Sequence, residues 1–230
     1  MSNQPYYPKQ YTGPKPIEEQ VKLLANKFGL NPKVDFEFFD ELPEGSEGLF
    51  AIPRWQRVAP SYYEATQKAI KILKQSDRYT FYDMWVGNRT EDNFRLTKES
   101  TLAFEQIATQ QQDLDILVVP AQFGSRHRKL SVSNTLYYIS QNNEVGLGAF
   151  EGFCMLLAHP ERCGVDNENI NTGFNCPGDE FNPFGYGEFF VDSSTVLVMA
   201  NECSFHRHSK SFPVHDCFGS ISMFITNKAL

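Results

Sequence analysis

The sequence predicts a single α+β domain, with a mixed or antiparallel sheet and three to five packed helices. Short β-prone runs and amphipathic stretches follow one another without a strict strand–helix–strand repeat. The chain holds 20 Phe and is 14% aromatic, which suits the half-buried surfaces of a sheet. Its 230 residues, 41% of them hydrophobic, are enough for one sizeable core. The one interior stretch that resembles a linker, Gln110 to Gln112, is no more than a turn.

Residues 1–16 are rich in Pro, Tyr and Gln and lack periodicity. They read as an extended or disordered arm ahead of a domain spanning 17–230. Ile17, Val21, Leu24 and Phe28 recur at helical spacing between Pro16 and Gly29, a start and a stop. Val34 to Phe38 alternates and predicts a strand. Leu49 to Ile52, closed by Pro53, predicts a second, and the two form a plausible hairpin across the 43–48 turn. Pro60 and Ser61 open a helix striped by Tyr62, Ala65, Ala69, Ile72 and Leu73.

Tyr79 to Val86 and Asn93 to Leu96 read as strands, and Thr97 caps the next helix. Ile116 to Val119 is a buried strand that Pro120 is expected to end. A helix or strand follows Ser131 and Ser133. Ala149 to Ala158 is a buried helix closed at His159-Pro160. Residues 164–188 read as irregular, and Glu188 to Val191, Thr195 to Ala200 and Ile221 to Thr226 as strands.

The loop after the buried strand carries the first candidate chemistry. Gln122, Arg126, His127, Arg128 and Lys129 surround Gly124 and Ser125, an arrangement suited to a phosphate or carboxylate. It matches neither a Walker A loop nor a dinucleotide fingerprint. A loop of this kind becomes a site only if another polar group faces it, and Asp179, Glu180 and the segment from His206 to His215 are the candidates.

The second candidate is a zinc site from Cys203, His206, His208, His215 and Cys217, five donors within fifteen residues. Zinc is the one cofactor the pattern admits, and no other is expected. A thiolate paired with histidine would draw on Cys163, Cys176 or Cys217, with Asp216 adjacent, but no cysteine-protease signature accompanies them. Asp179 and Glu180 form an acidic pair after a Pro-Gly turn.

A net charge of −7 disfavours general nucleic-acid binding. No apolar run approaches the roughly 18 residues of a membrane span. The N-terminus lacks the apolar core of a secretory signal, and five cysteines without such a signal read as reduced thiols, so a cytoplasmic location is expected.

The features fit best a non-enzymatic binding or assembly protein, with a protein partner or self-association through the arm. One alternative is a small enzyme or ligand-binding domain acting on an anionic substrate through residues 122–129. The other is a zinc-stabilised interaction module.

Overall fold

The structure is a computed structural model that describes residues 7–8, 10–34, 41–77, 79–85, 88–163, 172–183, 192–199, 202–211 and 218–225. Helix α1 (Ile17–Phe28) follows the arm. Pro16 stands at its N-cap and Gly29, at φ 73°, ends it in the left-handed conformation a side chain would resist. Strand β1 (Gly48–Pro53) leads to a short helix, α2 (Trp55–Val58), and to α3 (Tyr62–Leu73), whose cap Ser61 accepts a hydrogen bond from the Glu64 amide.

Strands β2 (Thr80–Asp83) and β3 (Phe94–Leu96) precede α4 (Lys98–Gln110), capped by Thr97. Strand β4 (Ile116–Gln122) runs into α5 (Val132–Ile139), capped by Ser131, then β5 (Glu144–Gly146) and α6 (Ala149–Ala158). A single 3-10 turn at Pro160–Cys163 follows, then β6 (Thr172–Phe181), β7 (Asp192–Met199), β8 (Glu202–Ser209), β9 (Phe218–Ser220) and β10 (Ser222–Phe224).

The expected α+β class is the one observed, but the strands form two sheets rather than one. The first has the order β1-β4-β10-β5 and is antiparallel throughout. The second has the order β2-β8-β7-β6-β3, with β9 beside β6. It is mixed, because β2 on β8 and β9 on β6 are parallel. Six α-helices lie among the described residues, one more than expected, because four-residue α2 has no periodicity to read. No described helix is long and apolar enough to cross a membrane.

Two local expectations are corrected, the end of β4 and the irregular stretch after residue 164. Pro120 does not end its strand. It sits inside β4 opposite Leu49, where β10 does not reach, so the missing N–H disturbs no second ladder. Strand β1 pairs with β4, almost seventy residues later in the chain. Its expected hairpin partner at 34–38 falls largely outside the described residues, as does the strand at 188–191. Residues 172–181, expected to be irregular, form the long strand β6. Its register shifts between Cys176 and Phe181, and there the Gly178 amide donates to Leu147 O (3.0 Å) while Gly178 O accepts from the Thr97 amide (2.7 Å). The bulge therefore ties the second sheet to the exit of β5 in the first. The backbones touch at this point: a Cβ on Gly178 would lie 2.5 Å from Gly146 O.

Every residue of α6 is buried. Phe150 packs on Phe28 and Tyr62, and Phe153 on Phe81 and Phe205 of the second sheet. Phe123, at the end of β4, meets Phe174 of β6. Each such ring removed from water is worth about 2–3 kcal/mol, so this aromatic middle fixes where the ends of β4 and α6 lie.

Candidate functional site

The loop after β4 is the structural hinge of the site. Gln122 is fully buried. Its amide donates to Ser220 O (2.7 Å) and Ser222 Oγ (3.0 Å), and its carbonyl accepts from the Gly124 amide (2.7 Å). The side chain takes the place of a peptide group where the ladder ends. Gly124 itself has φ 111°, a value that favours glycine.

The loop then divides. On one side, Arg126 Nε donates to Glu144 Oε1 (2.8 Å), and His127 Nε2 lies 2.8 Å from Glu144 Oε2. Ser222 Oγ donates to the same Oε2 (2.8 Å). The Arg126 guanidinium also lies over the rings of Tyr138 and Phe224. Burial opposes the charge of Glu144, but hydrogen bonds from His127, Ser222 and Arg126 hold its carboxyl below the usual range. The acid facing the cationic loop is thus Glu144 of β5, and neither Asp179 nor Glu180. Arg128 and Lys129 shape the turn, with backbone amides bonded to Ser125 O (3.4 Å) and Phe218 O (2.9 Å).

Ser222, His127 and Glu144 have the residue types of a hydrolase relay but not its geometry. Both Ser222 Oγ (3.4 Å) and Glu144 approach the one nitrogen Nε2, whereas a relay needs them on opposite nitrogens. His127 Nδ1 has no hydrogen-bond partner among the described residues.

On the other side, the loop and the N-terminal arm build an occupied groove. Glu47 Oε1 accepts from the Phe123 amide (3.1 Å), from Ser125 Oγ (2.8 Å) and from the Tyr7 hydroxyl. Glu47 Oε2 accepts from the Tyr11 hydroxyl (3.3 Å). The Ser125 amide donates to Tyr7 Oη (3.2 Å), and the Arg162 guanidinium lies 4.6 Å from the centre of the Tyr7 ring.

Tyr11 is buried against Phe123 and His159, and burial, reinforced by Glu47, pushes its phenol up. His159 donates from Nδ1 to Met155 O (2.8 Å) and accepts the Lys15 amide at Nε2 (3.1 Å). Those two bonds require the neutral ring, and burial lowers its pKa to about 4. Lys15 Nζ closes the seat on Ala158 O (2.9 Å) and Glu161 (3.2 Å). The described part of the arm therefore lies on the domain of its own chain.

The proposed zinc donors are divided by the strand that carries them. Cys203 and His206 are three apart on β8, so the alternation of a strand puts them on opposite faces. Cys203 is buried in the core, whereas His206 and His208 are half-buried on the other face, with ring centres 6.0 Å apart. His206 Nε2 meets Ser204 Oγ (2.8 Å). His215 and Cys217 lie outside the described residues, among which no three metal-ligating side chains cluster. Cys176 is fully buried, and burial pushes its thiol up, away from a reactive thiolate. Cys217, Asp216 and the Cys163 side chain are not among the described groups.

Asp179 and Glu180 also face opposite ways. Glu180 pairs with Arg95 across β3 (3.2 Å). Asp179 enters the core, where Tyr62 Oη donates to its Oδ1 (2.6 Å) and the Ala149 amide to its Oδ2 (2.9 Å). Glu151 Oε2 lies 3.1 Å from the same Tyr62 oxygen and accepts the Gly148 amide (3.1 Å).

Burial first, then the neighbouring carboxylate, raises Glu151 to about 8; burial raises Asp179 to about 7 against the donors that favour its charge. One phenol proton cannot serve two carboxylates, so burial favours a second proton on the Glu151–Asp179 pair. Gly148 makes room for it, since a Cβ there would lie 2.1 Å from Tyr62 Oη.

Sequence reasoning found the loop and missed Glu47, Glu144 and Arg162, which carry no local signal. Glu151 did carry one, as the lone charge in the apolar run 149–158. Comparison with protein-family models, with curated proteins and with solved structures gave no match. What fold and site define together is a two-sheet α+β protein whose central loop holds a tyrosine-bearing segment on one side and a buried ion cluster on the other.

Proposed function

We propose that the protein is a non-enzymatic binding and assembly module that holds an extended, tyrosine- and proline-bearing segment in the groove between Glu47, the 123–125 loop and Arg162. One observation carries this reading. The groove already holds such a segment of its own arm, through Tyr7, Tyr11 and Lys15, by peptide-like contacts: backbone to His159, phenols to Glu47 and a ring beneath Arg162. The arm of a second copy offers the same contacts, which is the simplest route from an occupied groove to an assembly.

The loop's cations favour this over an anionic substrate, because Arg126 and His127 already share the buried carboxylate of Glu144. The test is a chain lacking residues 1–12, titrated with a peptide of residues 1–16 while its folding is followed by thermal melting. Saturable binding of the peptide to the folded, shortened chain supports the module. A folded chain that does not take up the peptide overturns it.

A further inference from the structure

We infer that the groove reads tyrosine hydroxyls rather than aromatic bulk, so that its ligand is a Tyr-Pro-x-x-Tyr turn with unmodified phenols and Glu47 is its specificity-determining residue. This rests on the groove's being a binding site, and adds which segment it takes. Within the arm, the Tyr11 amide donates to Pro8 O (2.9 Å), closing a turn that brings the Tyr7 and Tyr11 rings to 4.8 Å between centres. That turn lets two side chains four residues apart reach the two oxygens of one carboxylate.

Apolar packing alone would not demand this arrangement. The Tyr7 oxygen both donates, to Glu47, and accepts, from the Ser125 amide, so both functions of the hydroxyl are answered. A phenylalanine in its place would leave the Ser125 amide without its acceptor and Glu47 with one donor fewer. Discrimination by unanswered polar groups is far stronger than discrimination by ring shape.

The same geometry excludes a phosphorylated tyrosine. The phosphate would carry nearly two negative charges to the carboxylate of Glu47. Arg162 lies over the face of the Tyr7 ring and not beyond its hydroxyl, so it is not placed as a fork for phosphate oxygens. Pro8 is buried, which fixes the turn between the two tyrosines.

Hydrogen exchange in the full chain tests this without any free peptide. The Tyr11 and Lys15 amides report the seat. Tyr7→Phe and Tyr11→Phe keep the rings and remove one hydroxyl each. Each is expected to speed exchange at these two amides by roughly ten-fold or more, the effect of one lost hydrogen bond to a charged acceptor, with the melting temperature of the core unchanged. Glu47→Gln, which weakens both acceptors, is expected to make the effect of either Phe substitution smaller. Phe variants that exchange at the parental rate overturn the inference, whether or not a separate peptide binds the shortened chain. If the peptide does bind, its Tyr7-phosphorylated form is expected to bind at least ten-fold more weakly; equal affinity also overturns it.

Discussion

Replacing Glu151 with glutamine should remove most of the pH dependence of stability on the alkaline side. A carboxyl held above its unfolded value binds its proton more tightly in the native state. Its contribution is therefore complete below about 4.5 and is lost as pH rises through about 8. That interval, at about 1.4 kcal/mol per pH unit, corresponds to on the order of 5 kcal/mol.

Glutamine nearly matches the volume and cannot ionise; because Oε2 meets both Tyr62 Oη and the Gly148 amide, its oxygen placed there keeps the bond from Gly148. For a chain of this size about 1 kcal/mol moves the melting temperature by roughly 2–4 °C. Between pH 5 and pH 9 the difference in melting temperature between parent and Glu151→Gln should move by about 10 °C or more in favour of the variant. Melting curves read by circular dichroism every half unit from pH 5 to 9 make the measurement. Parallel curves would show that Glu151 is already ionised in the native core and that the shared-proton account is wrong.

Two further outcomes follow from the other clusters. Glu144→Gln leaves the partly buried Arg126 without its counter-charge and His127 without its carboxylate partner, and should destabilise the chain by about 3–5 kcal/mol. Stabilisation by added sulfate should be larger in this variant than in the parent, and an equal response would show that the loop's cations were available all along. His159 has the opposite sign to Glu151. Its pKa is depressed to about 4, so its contribution is present above 6.5 and lost as pH falls towards 4. The arm should be released over that acid window, seen as faster exchange of the Lys15 amide, and a pH-independent rate would separate His159 from the seating of the arm.

How much was legible depended on whether the deciding contact was local. Helix α1 was readable end to end because Pro16 and Gly29 act on their own backbone. The caps Ser61, Thr97 and Ser131 are local too. Strand β6 was not readable. Asn175, Pro177 and Gly178 are turn formers by composition, and distant partners hold them in a strand: β7 and β9 beside Asn175, and the bonds of Gly178 to Leu147 and Thr97.

The zinc donors illustrate a different limit, since the strand separates Cys203 from His206 while His215 and Cys217 lie outside the described residues. Spacing was weighed without a conformation, and the period of two in β8 sends Cys203 and His206 to opposite faces. The loop after β4 was located because a buried run ending in glycine and cations is visible in one dimension. The residues that define its use, Glu47 and Glu144, are ordinary surface-type acids until the fold brings them to it.

The seat of the arm has a consequence for the order in which the molecule is made. Tyr7 and Tyr11 leave the ribosome early, but Phe123, Ser125, His159 and Arg162 follow much later; the bond from Lys15 to His159 spans 144 residues. At roughly 5–20 residues per second, the finished arm waits on the order of ten seconds for its groove to exist. A segment synthesised early is placed late. During that wait its tyrosines are open to any other nascent copy whose groove is complete.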